Sequence, residues 1–333
     1  MDKRFKIRFK QYCILLVVAK ILLVVFLFSG CAGKKSFQLV LLPDTQIYSE
    51  KFPGIFKAQT EWIAENADSI AFVLHQGDIT NRNTDEQWEN AVEALELLDG
   101  KVPFTFVAGN HDIGDLGKAD TRDSELFNKY MPYEKYSKAD GFGGAFERGK
   151  MDNTWHTFKA GGMKWLILSL EFGPGNKVLD WAGEVIEQHP SHKVIINTHA
   201  YMYSDNTRMS LEREHSWVPQ KYGLGKLTGE DAVNDGEMMW EKLVSQYPNI
   251  MMVVSGHVLH SGVGTLVSTG KNGNKVYQML ANYQVGVKGG NGFLRIVSID
   301  PAKQKISVKT YSPYVDQFNT DPDHQFEFKK VDF

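Results

Sequence analysis

Five short segments of the chain carry side chains that bind divalent metal ions. They hold three kinds of metal ligand: the carboxylate of Asp, the amide oxygen of Asn or Gln, and the imidazole of His. This set suits a transition metal such as Mn, Fe or Zn. Glycines beside several of these ligands allow the backbone to turn sharply there. In chain order the segments are Leu42-Pro43-Asp44-Thr45-Gln46, Gly77-Asp78-Ile79-Thr80-Asn81, Gly109-Asn110-His111-Asp112, Asn197-Thr198-His199 and Gly256-His257-Val258-Leu259-His260.

The segments follow short apolar runs, which predict the strands that must position them. Such runs, flanked by Gly, Pro, Asn or Asp, are typical of buried strands. In open α/β sheets, ligands bind at the carboxyl ends of strands, so we expect the five segments to converge on one site. The predicted strands are Phe37–Leu42, Ile70–Leu74, Val102–Val107, Trp165–Leu170, Val194–Asn197 and Ile250–Val254.

Amphipathic stretches between these strands predict helices. Thr84 and Gln87 have the spacing of a capping box, in which each side chain bonds the other residue's backbone N–H. A second helix is predicted from Asp235 to Tyr247, with Pro248 just beyond its end. The alternation of strands and helices favours a layered α/β fold. Later, turn-linked strands are predicted at Val276–Leu280, Phe293–Ile299 and Ile306–Tyr311.

The composition is that of an ordinary globular protein. The 333 residues include 37 Lys and Arg against 40 Asp and Glu, are 42% hydrophobic, and contain two Cys. These values exclude disordered, collagen-like and disulfide-framework proteins. The formal net charge of −3 gives no positive field for nucleic acid, so no nucleic-acid binding is expected.

The first thirty residues predict a secretory signal. A basic start with Lys3 and Arg4 precedes an apolar run that Lys20 interrupts, and Ser29 and Gly30 stand before Cys31. The pattern resembles a bacterial lipoprotein signal, which implies cleavage before Cys31 and acylation of its thiol. We therefore expect a signal peptide at 1–30, an acylated Cys and short tether at 31–36, and a single domain at 37–333. The expected location is the periplasmic or cell-surface side of a bacterial membrane, after secretion across the inner membrane.

Taken together, the five segments resemble the motifs of the calcineurin-like metallophosphoesterase superfamily. That family's blocks are Asp-x-His, Gly-Asp, Gly-Asn-His-Asp/Glu, His and Gly-His-x-His, and their order agrees with this chain from residue 44 to residue 260. The resemblance implies an α/β fold of four α/β/β/α layers, in which two central mixed sheets pack face to face between helices. It also implies two divalent metal ions, drawn from Mn, Fe, Zn or Mg.

The resemblance assigns metal ligands residue by residue. It implies that Asp78 bridges two ions and that Asp44 binds the first. Asn110, His199 and His257 would complete the second site. Two ions in such a site activate the attacking water and neutralise phosphoryl charge during in-line displacement.

The resemblance also assigns two catalytic residues. His111 would stand beside the leaving group, as a general acid or a charge stabiliser. Asp112 would orient the ring of His111.

Two departures from the family pattern affect the first metal. Gln46 stands where the family usually has His, and the extra residue Leu259 displaces the last His to His260. Gln46 is expected to be a weaker ligand than imidazole, since it offers a neutral amide oxygen. His260 is predicted as a ligand, with a solvated loop residue as the alternative, because a one-residue shift reverses side-chain direction in an extended segment.

Several other residues carry weaker signals. His75 is expected to be a hydrogen-bonded core or supporting residue rather than a ligand. Glu171, which follows the predicted strand ending at Leu170, is interpreted as a solvated loop carboxylate, with a position reaching the cleft as the alternative. The insertion from Tyr201 to Asn234 is either a substrate-binding lid that offers an Arg to phosphate or a packed surface cover. The remaining histidines, at 156, 189, 192, 215 and 324, are expected on the surface or in loops.

The sequence therefore predicts a membrane-anchored phosphohydrolase in which metal-activated water attacks a phosphate ester in line. Its expected partners are a phosphate-ester small molecule, or a phosphorylated glycan or nucleotide, and the lipid anchor's membrane. The first alternative is a non-catalytic lipoprotein that binds a phosphate or sugar ligand through a degenerate metal site. The second is a phosphodiesterase specific for diesters or nucleotides.

Overall fold

A computed structural model describes residues 35–333. The predicted signal peptide at 1–30 and the acylation site at Cys31 lie outside the described residues. Within residues 35–333 there are seven α-helices: α1 (Gln46–Lys51), α2 (Pro53–Glu65), α3 (Asp85–Leu95), α4 (Glu125–Tyr130), α5 (Tyr133–Tyr136), α6 (Asn176–Gln188) and α7 (Gly236–Met239). The same described part of the chain has fourteen strands: β1 (Phe37–Leu42), β2 (Ile70–His75), β3 (Phe104–Thr105), β4 (Phe142–Ala145), β5 (Thr154–Ala160), β6 (Met163–Leu170), β7 (Lys193–Thr198), β8 (Ile250–Ser255), β9 (Val263–Thr269), β10 (Lys275–Ala281), β11 (Leu294–Asp300), β12 (Lys305–Ser312), β13 (Gln317–Asn319) and β14 (Phe326–Lys329).

The strands form two seven-stranded mixed sheets. The first has the order β13-β12-β11-β1-β2-β3, with β14 also paired to β12, and the second has the order β4-β5-β6-β7-β8-β10-β9. In the first sheet β1, β2 and β3 run parallel, and in the second β6, β7, β8 and β10 run parallel. Parallel neighbours bring their carboxyl ends to the same edge of a sheet, which is what the five metal-binding segments require.

Both faces of the central strands are buried, which explains their continuous apolar sequences. Leu39 and Leu41 of β1 belong to a buried cluster with Trp165 and Ile167 of β6, so the two sheets pack against each other. Val40 of β1 belongs to a second cluster, which includes apolar residues of the helices α2 and α6. The fold is therefore the predicted four-layer α/β/β/α arrangement, with two central mixed sheets between helices.

Three local predictions need correction. The apolar run Val102–Val107 forms only the two-residue strand β3. Thr84 does cap α3, but its side chain makes no capping bond, and Gln87 accepts hydrogen bonds from two loop N–H groups instead of joining a capping box. The helix predicted from Asp235 to Tyr247 is α7 followed by a π-helical turn at Trp240–Val244.

Within residues 35–333, no helix is long and apolar enough to cross a membrane.

Candidate metal centre

The five segments lie at the carboxyl ends of five strands, three in the first sheet and two in the second. Asp44 follows β1, Asp78 follows β2, and Asn110 follows β3. His199 comes directly after β7, and His257 comes two residues after β8. These strands are parallel neighbours within their sheets, so their carboxyl ends lie at the same edge. The prediction that the segments would meet is confirmed for the four residues whose distances follow.

Four predicted ligands meet in one buried cluster. Nε2 of His199 lies 3.2 Å from Oδ1 of Asp78 and 3.0 Å from Oδ1 of Asn110. Nδ1 of His257 lies 3.1 Å from the same His199 nitrogen. Asp78, His199 and His257 offer ligand atoms that all lie within 4.8 Å of one another.

The hydrogen bonds on the other side of each imidazole define its tautomer. Nδ1 of His199 donates to the carbonyl oxygen of Gln76 at 2.7 Å. Nε2 of His257 donates to the carbonyl oxygen of Trp217, also at 2.7 Å. The second nitrogens, Nε2 of His199 and Nδ1 of His257, therefore face each other, and that of His199 also faces the two oxygen acceptors. Metal-binding histidines are characteristically held through the second nitrogen in this way.

The charges around the cluster favour one bound cation. Burial opposes protonation of His199, but the carboxylates of Asp78 and Asp44 outweigh it and raise the pKa of His199 to about 9. Burial and the neighbouring His199 charge lower the pKa of His257 to about 3. Burial would raise the pKa of Asp78, but His199 and His111 hold it below its usual range. With its raised pKa, His199 carries a proton on Nε2, and that single proton serves three neighbouring acceptor atoms. A divalent ion in place of the proton would bind all four groups at once.

Asp44 lies beside this cluster and is bound to the last segment. Its two carboxylate oxygens accept the backbone N–H of His257 at 3.1 and 3.0 Å, and Oδ1 lies 3.6 Å from Nδ1 of His199. Burial, opposed by His199, raises the pKa of Asp44 well above its usual value. A buried carboxylate in this environment is stabilised by an added positive charge, so Asp44 fits the predicted ligand role.

Gln46 lies at the start of α1 and is almost completely buried. Its Oε1 has no hydrogen-bond partner among the described residues. A buried amide oxygen without a partner is costly, and a metal ion is one group that removes the cost. The donor chemistry of Gln46 therefore fits the predicted site.

His260 lies apart from the cluster. Its side chain is exposed, and its Nε2 lies 3.3 Å from the hydroxyl of Tyr203. Its ring centroid lies 4.9 Å from that of Trp217. The side chain of His260, which follows the extra residue Leu259, thus contacts the insertion. The role of His260 as a metal ligand stays a prediction.

His111 is half-buried at the edge of the cluster. Its backbone N–H donates to Oδ1 of Asp78 at 2.9 Å, and its ring Nδ1 donates to the carbonyl oxygen of Asn81 at 2.8 Å. These two bonds fix the ring, and the ring's Nε2 makes no hydrogen bond to any of the residues that the structure describes. This nitrogen is available to a leaving group.

The prediction that Asp112 orients the ring of His111 is wrong. Asp112 is fully buried and accepts the backbone N–H groups of Ile79, Thr80 and Gly109 at 3.0, 2.8 and 2.9 Å. Its carboxylate therefore joins the loop after β2 to the loop after β3. The carbonyl of Asn81 takes the orienting role instead.

The supporting residue predicted at position 75 is confirmed. Nδ1 of His75 accepts the backbone N–H of Gly77 at 3.2 Å, so its Nε2 carries the proton and donates to Oγ1 of Thr45 at 2.9 Å. Burial lowers the pKa of His75 to about 3. The neutral ring thus connects the first and second metal-binding segments.

Two surface assignments are wrong. Glu171 is buried and forms an ion pair with Arg122 at 3.0 Å, since it lies at the end of a central strand. His156 lies on β5 and is buried between the rings of Phe72 and Phe142. His215 lies in a loop, as predicted, although its side chain is also buried. Isolated polar residues in loops give no sequence signal for such burial.

Arg208 of the insertion is engaged in packing. It pairs with Glu237 at 2.8 Å and lies over the ring of Trp240 at 4.4 Å. It therefore helps to hold the insertion against the protein. The contributions that sequence reasoning missed are main-chain carbonyls, at Gln76, Asn81 and Trp217, which no side-chain motif reveals.

Comparisons with known proteins agree with this architecture. The sequence model for the family described as calcineurin-like phosphoesterase matches residues 38–261. The uncharacterized protein YvnB of Bacillus subtilis strain 168 is 30% identical over 296 residues, covering 86% of this chain and 21% of that protein. The chain thus spans about a fifth of the length of this relative.

A solved structure shares the fold. Purple acid phosphatase PPD1 from yellow lupin, Lupinus luteus, has a TM-score of 0.54 at 14% identity, over 90% of this chain and 55% of that one. The 5'-nucleotidase precursor of Thermus thermophilus gives a lower TM-score of 0.46 at 11% identity, over 89% of this chain and 55% of that one. The family match covers the strands and all five metal-binding segments up to residue 261, and on that basis this chain belongs to the calcineurin-like phosphoesterase family.

Proposed function

We propose that the protein is a metal-dependent phosphohydrolase that cleaves a phosphate ester by in-line attack of an activated water. The observation that carries the proposal is the convergence of four potential ligand atoms, from Asp78, Asn110, His199 and His257, in one buried cluster. A divalent cation would stabilise the buried carboxylate and bind the imidazoles of this cluster, and the family to which the chain belongs supports phosphoester chemistry.

The predicted ligands fall into two groups, one for each of two ion sites. Asp44 with Gln46 would hold the first ion, which His260 is also predicted to bind, and Asn110, His199 and His257 would hold the second. Asp78 would serve both ions. Ions bound there would supply Lewis-acid polarisation of the phosphoryl group and activation of the attacking water.

The remaining residues keep the site in place and handle protons. His111 presents its free Nε2, which would give a proton to the oxygen of the leaving group or stabilise its charge. Asp112 holds two ligand-bearing loops together through backbone N–H groups. The carbonyls of Trp217 and Gln76 hold the rings of His257 and His199 in the orientation in which they would bind an ion.

The first test is metal content together with turnover. The full-length protein, purified in detergent without chelator, would be analysed for bound metal by mass spectrometry and assayed for phosphate release with added Mn²⁺. Two ions per chain and Mn²⁺-dependent turnover are expected. A single ion without turnover on any mono- or diester would instead favour the non-catalytic binding protein, and turnover of diesters alone would favour the phosphodiesterase.

We also propose that the protein is a lipoprotein on the periplasmic or cell-surface side of a bacterial membrane. The support is the sequence before and at Cys31, which resembles a lipoprotein signal. A Cys31→Ser variant should be released from membranes or left unprocessed in cell fractionation. A variant that is processed and stays in the membrane fraction would contradict acylation at Cys31.

A further inference from the structure

A group of aromatic side chains stands beside the metal centre. We call Tyr203, Trp217, Tyr222 and His260 the aromatic wall; the first three belong to the insertion after β7. The ring of Trp217 lies 4.9 Å from that of His260, and the hydroxyl of Tyr203 lies 3.3 Å from Nε2 of His260. His260 is exposed and the other three are half-buried.

The wall is held rigidly from behind. The ring of Tyr203 stacks on the ring of His215 at 3.9 Å with an interplanar angle of 3°. Nδ1 of His215 accepts the backbone N–H of Ser210 at 3.1 Å, and its Nε2 lies 3.3 Å from a carboxylate oxygen of Asp205. A ring supported in this way presents a fixed surface, which lowers the entropy cost of binding a ligand.

The wall is joined directly to a predicted metal ligand. The carbonyl oxygen of Trp217 accepts the Nε2 proton of His257 at 2.7 Å. The ring of Tyr222 lies 6.2 Å from that of His257 and 5.1 Å from that of Phe172, which itself packs on His257 at 5.1 Å. A phosphoryl group bound at the metal centre would thus have this wall as a neighbour.

The backbone of the wall is strained. Trp217 and His260 both have a φ of +61°, and Glu214 in the same loop has a φ of +58°. Residues other than glycine adopt this left-handed backbone conformation at a cost of about 1–3 kcal/mol each, and such strain concentrates at functional sites. Strain at Trp217 places its carbonyl on His257 while its ring stays partly exposed.

We propose that the aromatic wall is the subsite for the leaving group, and that it selects phosphate esters whose leaving group contains a planar, π-rich ring. Stacking of such a ring on aromatic side chains is favourable and tolerates variation in the ring's substituents. The inference rests on the proposed phosphohydrolase function, because it concerns the substrate of that same site.

The test compares two phosphonates that the enzyme cannot hydrolyse. Phenylphosphonate and methylphosphonate would be titrated into the full-length, Mn²⁺-loaded protein by calorimetry. We expect phenylphosphonate to bind about tenfold more tightly, the factor that corresponds to about 1.4 kcal/mol. In Trp217→Asn this ratio should fall to about one, whereas Trp217→Phe should keep most of it.

The Asn variant separates the ring from the metal centre. Asn adopts left-handed φ values more readily than other non-glycine residues. Because the contact to His257 comes from a main-chain carbonyl, bound metal should be retained, and mass spectrometry would check this. Tyr203→Leu, which leaves residue 217 intact, is the second variant and should also lower the ratio. The matched control is Phe318→Asn, which removes an exposed aromatic ring on β13 and should leave the ratio unchanged.

The outcomes distinguish the subsite from the function. Equal binding of the two phosphonates by the wild-type protein, or a ratio that neither Trp217→Asn nor Tyr203→Leu changes, would overturn the aromatic subsite while leaving the hydrolase proposal standing. Absence of both phosphonate binding and phosphate release would overturn the proposed function and the subsite with it. Tighter binding of a sugar phosphate than of phenylphosphonate would also refute selection for a planar ring.

Discussion

His111 and Asp112 are neighbours in sequence with different tasks. The ring of His111 is fixed by the carbonyl of Asn81 and faces the edge of the cluster, whereas Asp112 is buried among backbone N–H groups. Neither task is visible in the Gly-Asn-His-Asp motif itself, because the motif names side chains and the deciding partners are main-chain atoms.

We expect His111→Ala to lower turnover by about 10²–10⁴-fold, the usual contribution of a positioned proton donor. Bound metal should stay the same, since the ring of His111 is not among the four converging ligands. Phosphate release and mass spectrometry would measure the two effects. The control is His324→Ala, a half-buried histidine at the C-terminal end. Unchanged turnover in His111→Ala would refute its proposed role.

For Asp112→Asn we expect a stability effect. The amide has one acceptor oxygen in place of two and points a donor at other donors, so the free energy of unfolding should fall by about 3 kcal/mol. Urea titration followed by fluorescence would measure it. A variant of full stability that loses only turnover would restore the original assignment of Asp112 to catalysis.

At the scale of elements, the ends of the strands determine the geometry of the site. A Cβ added at Gly109 would lie 2.2 Å from both the backbone nitrogen and Oδ1 of Asp78. A Cβ added at Gly256 would lie 2.9 Å from both carboxylate oxygens of Asp44. The two glycines therefore allow loops from different strands to approach one another.

Gly109→Ala should abolish metal binding, because relieving the overlap requires Asp78 to move. Bound metal per chain, measured by mass spectrometry, is the readout. Gly54→Ala on α2 is the matched control, since a Cβ there meets no atom within 4 Å, and it should keep full metal content. Normal metal content in Gly109→Ala would show that the loop tolerates displacement.

The strands were the most predictable elements. β1 has the predicted bounds, and β7 and β8 differ from prediction by one residue at most at each end, because both faces of these strands are buried and their sequences are continuously apolar. Val102–Val107 is equally apolar, yet only Phe104 and Thr105 pair with β2. An apolar sequence predicts that a segment is buried. Whether it also forms a strand depends on hydrogen bonds to a neighbouring strand, which the local sequence does not show. The convergence of Asp78, Asn110, His199 and His257 was predictable from the ends of apolar strands, but the burial of Glu171 and the position of His260 were not.

At the scale of the whole molecule, folding buries imidazoles away from the site as well as in it. Burial lowers the pKa of His156, on β5, to about 3. Its Nδ1 has no hydrogen-bond partner among the described residues. The ring is neutral in the folded state and becomes protonated on unfolding in mild acid.

Acid should therefore destabilise the protein through His156. In the unfolded chain His has a pKa near 6.5, so below that pH the unfolded state binds a proton that the folded state excludes. From pH 6.5 down to the folded pKa of about 3, this group should cost about 1.4 kcal/mol of unfolding free energy per pH unit. His156→Leu should flatten the pH profile of urea unfolding by that slope. Above pH 7.5 the profiles of the two proteins should run parallel, which serves as the control, and identical slopes in acid would contradict the assignment.

The hydrogen bond from the backbone N–H of His257 to the carboxylate of Asp44 also constrains the order in which the site can form during folding. These residues are 213 positions apart, and β1, which leads into Asp44, pairs with β11 near the end of the chain. Contacts of such long range form late in folding, because most of the chain must be in place before they repay the entropy of loop closure. A growing chain cannot complete the ion-binding cluster until residue 257 has been made. We therefore expect a metal ion to bind this cluster only after most of the chain has folded, and to come from the compartment in which folding ends.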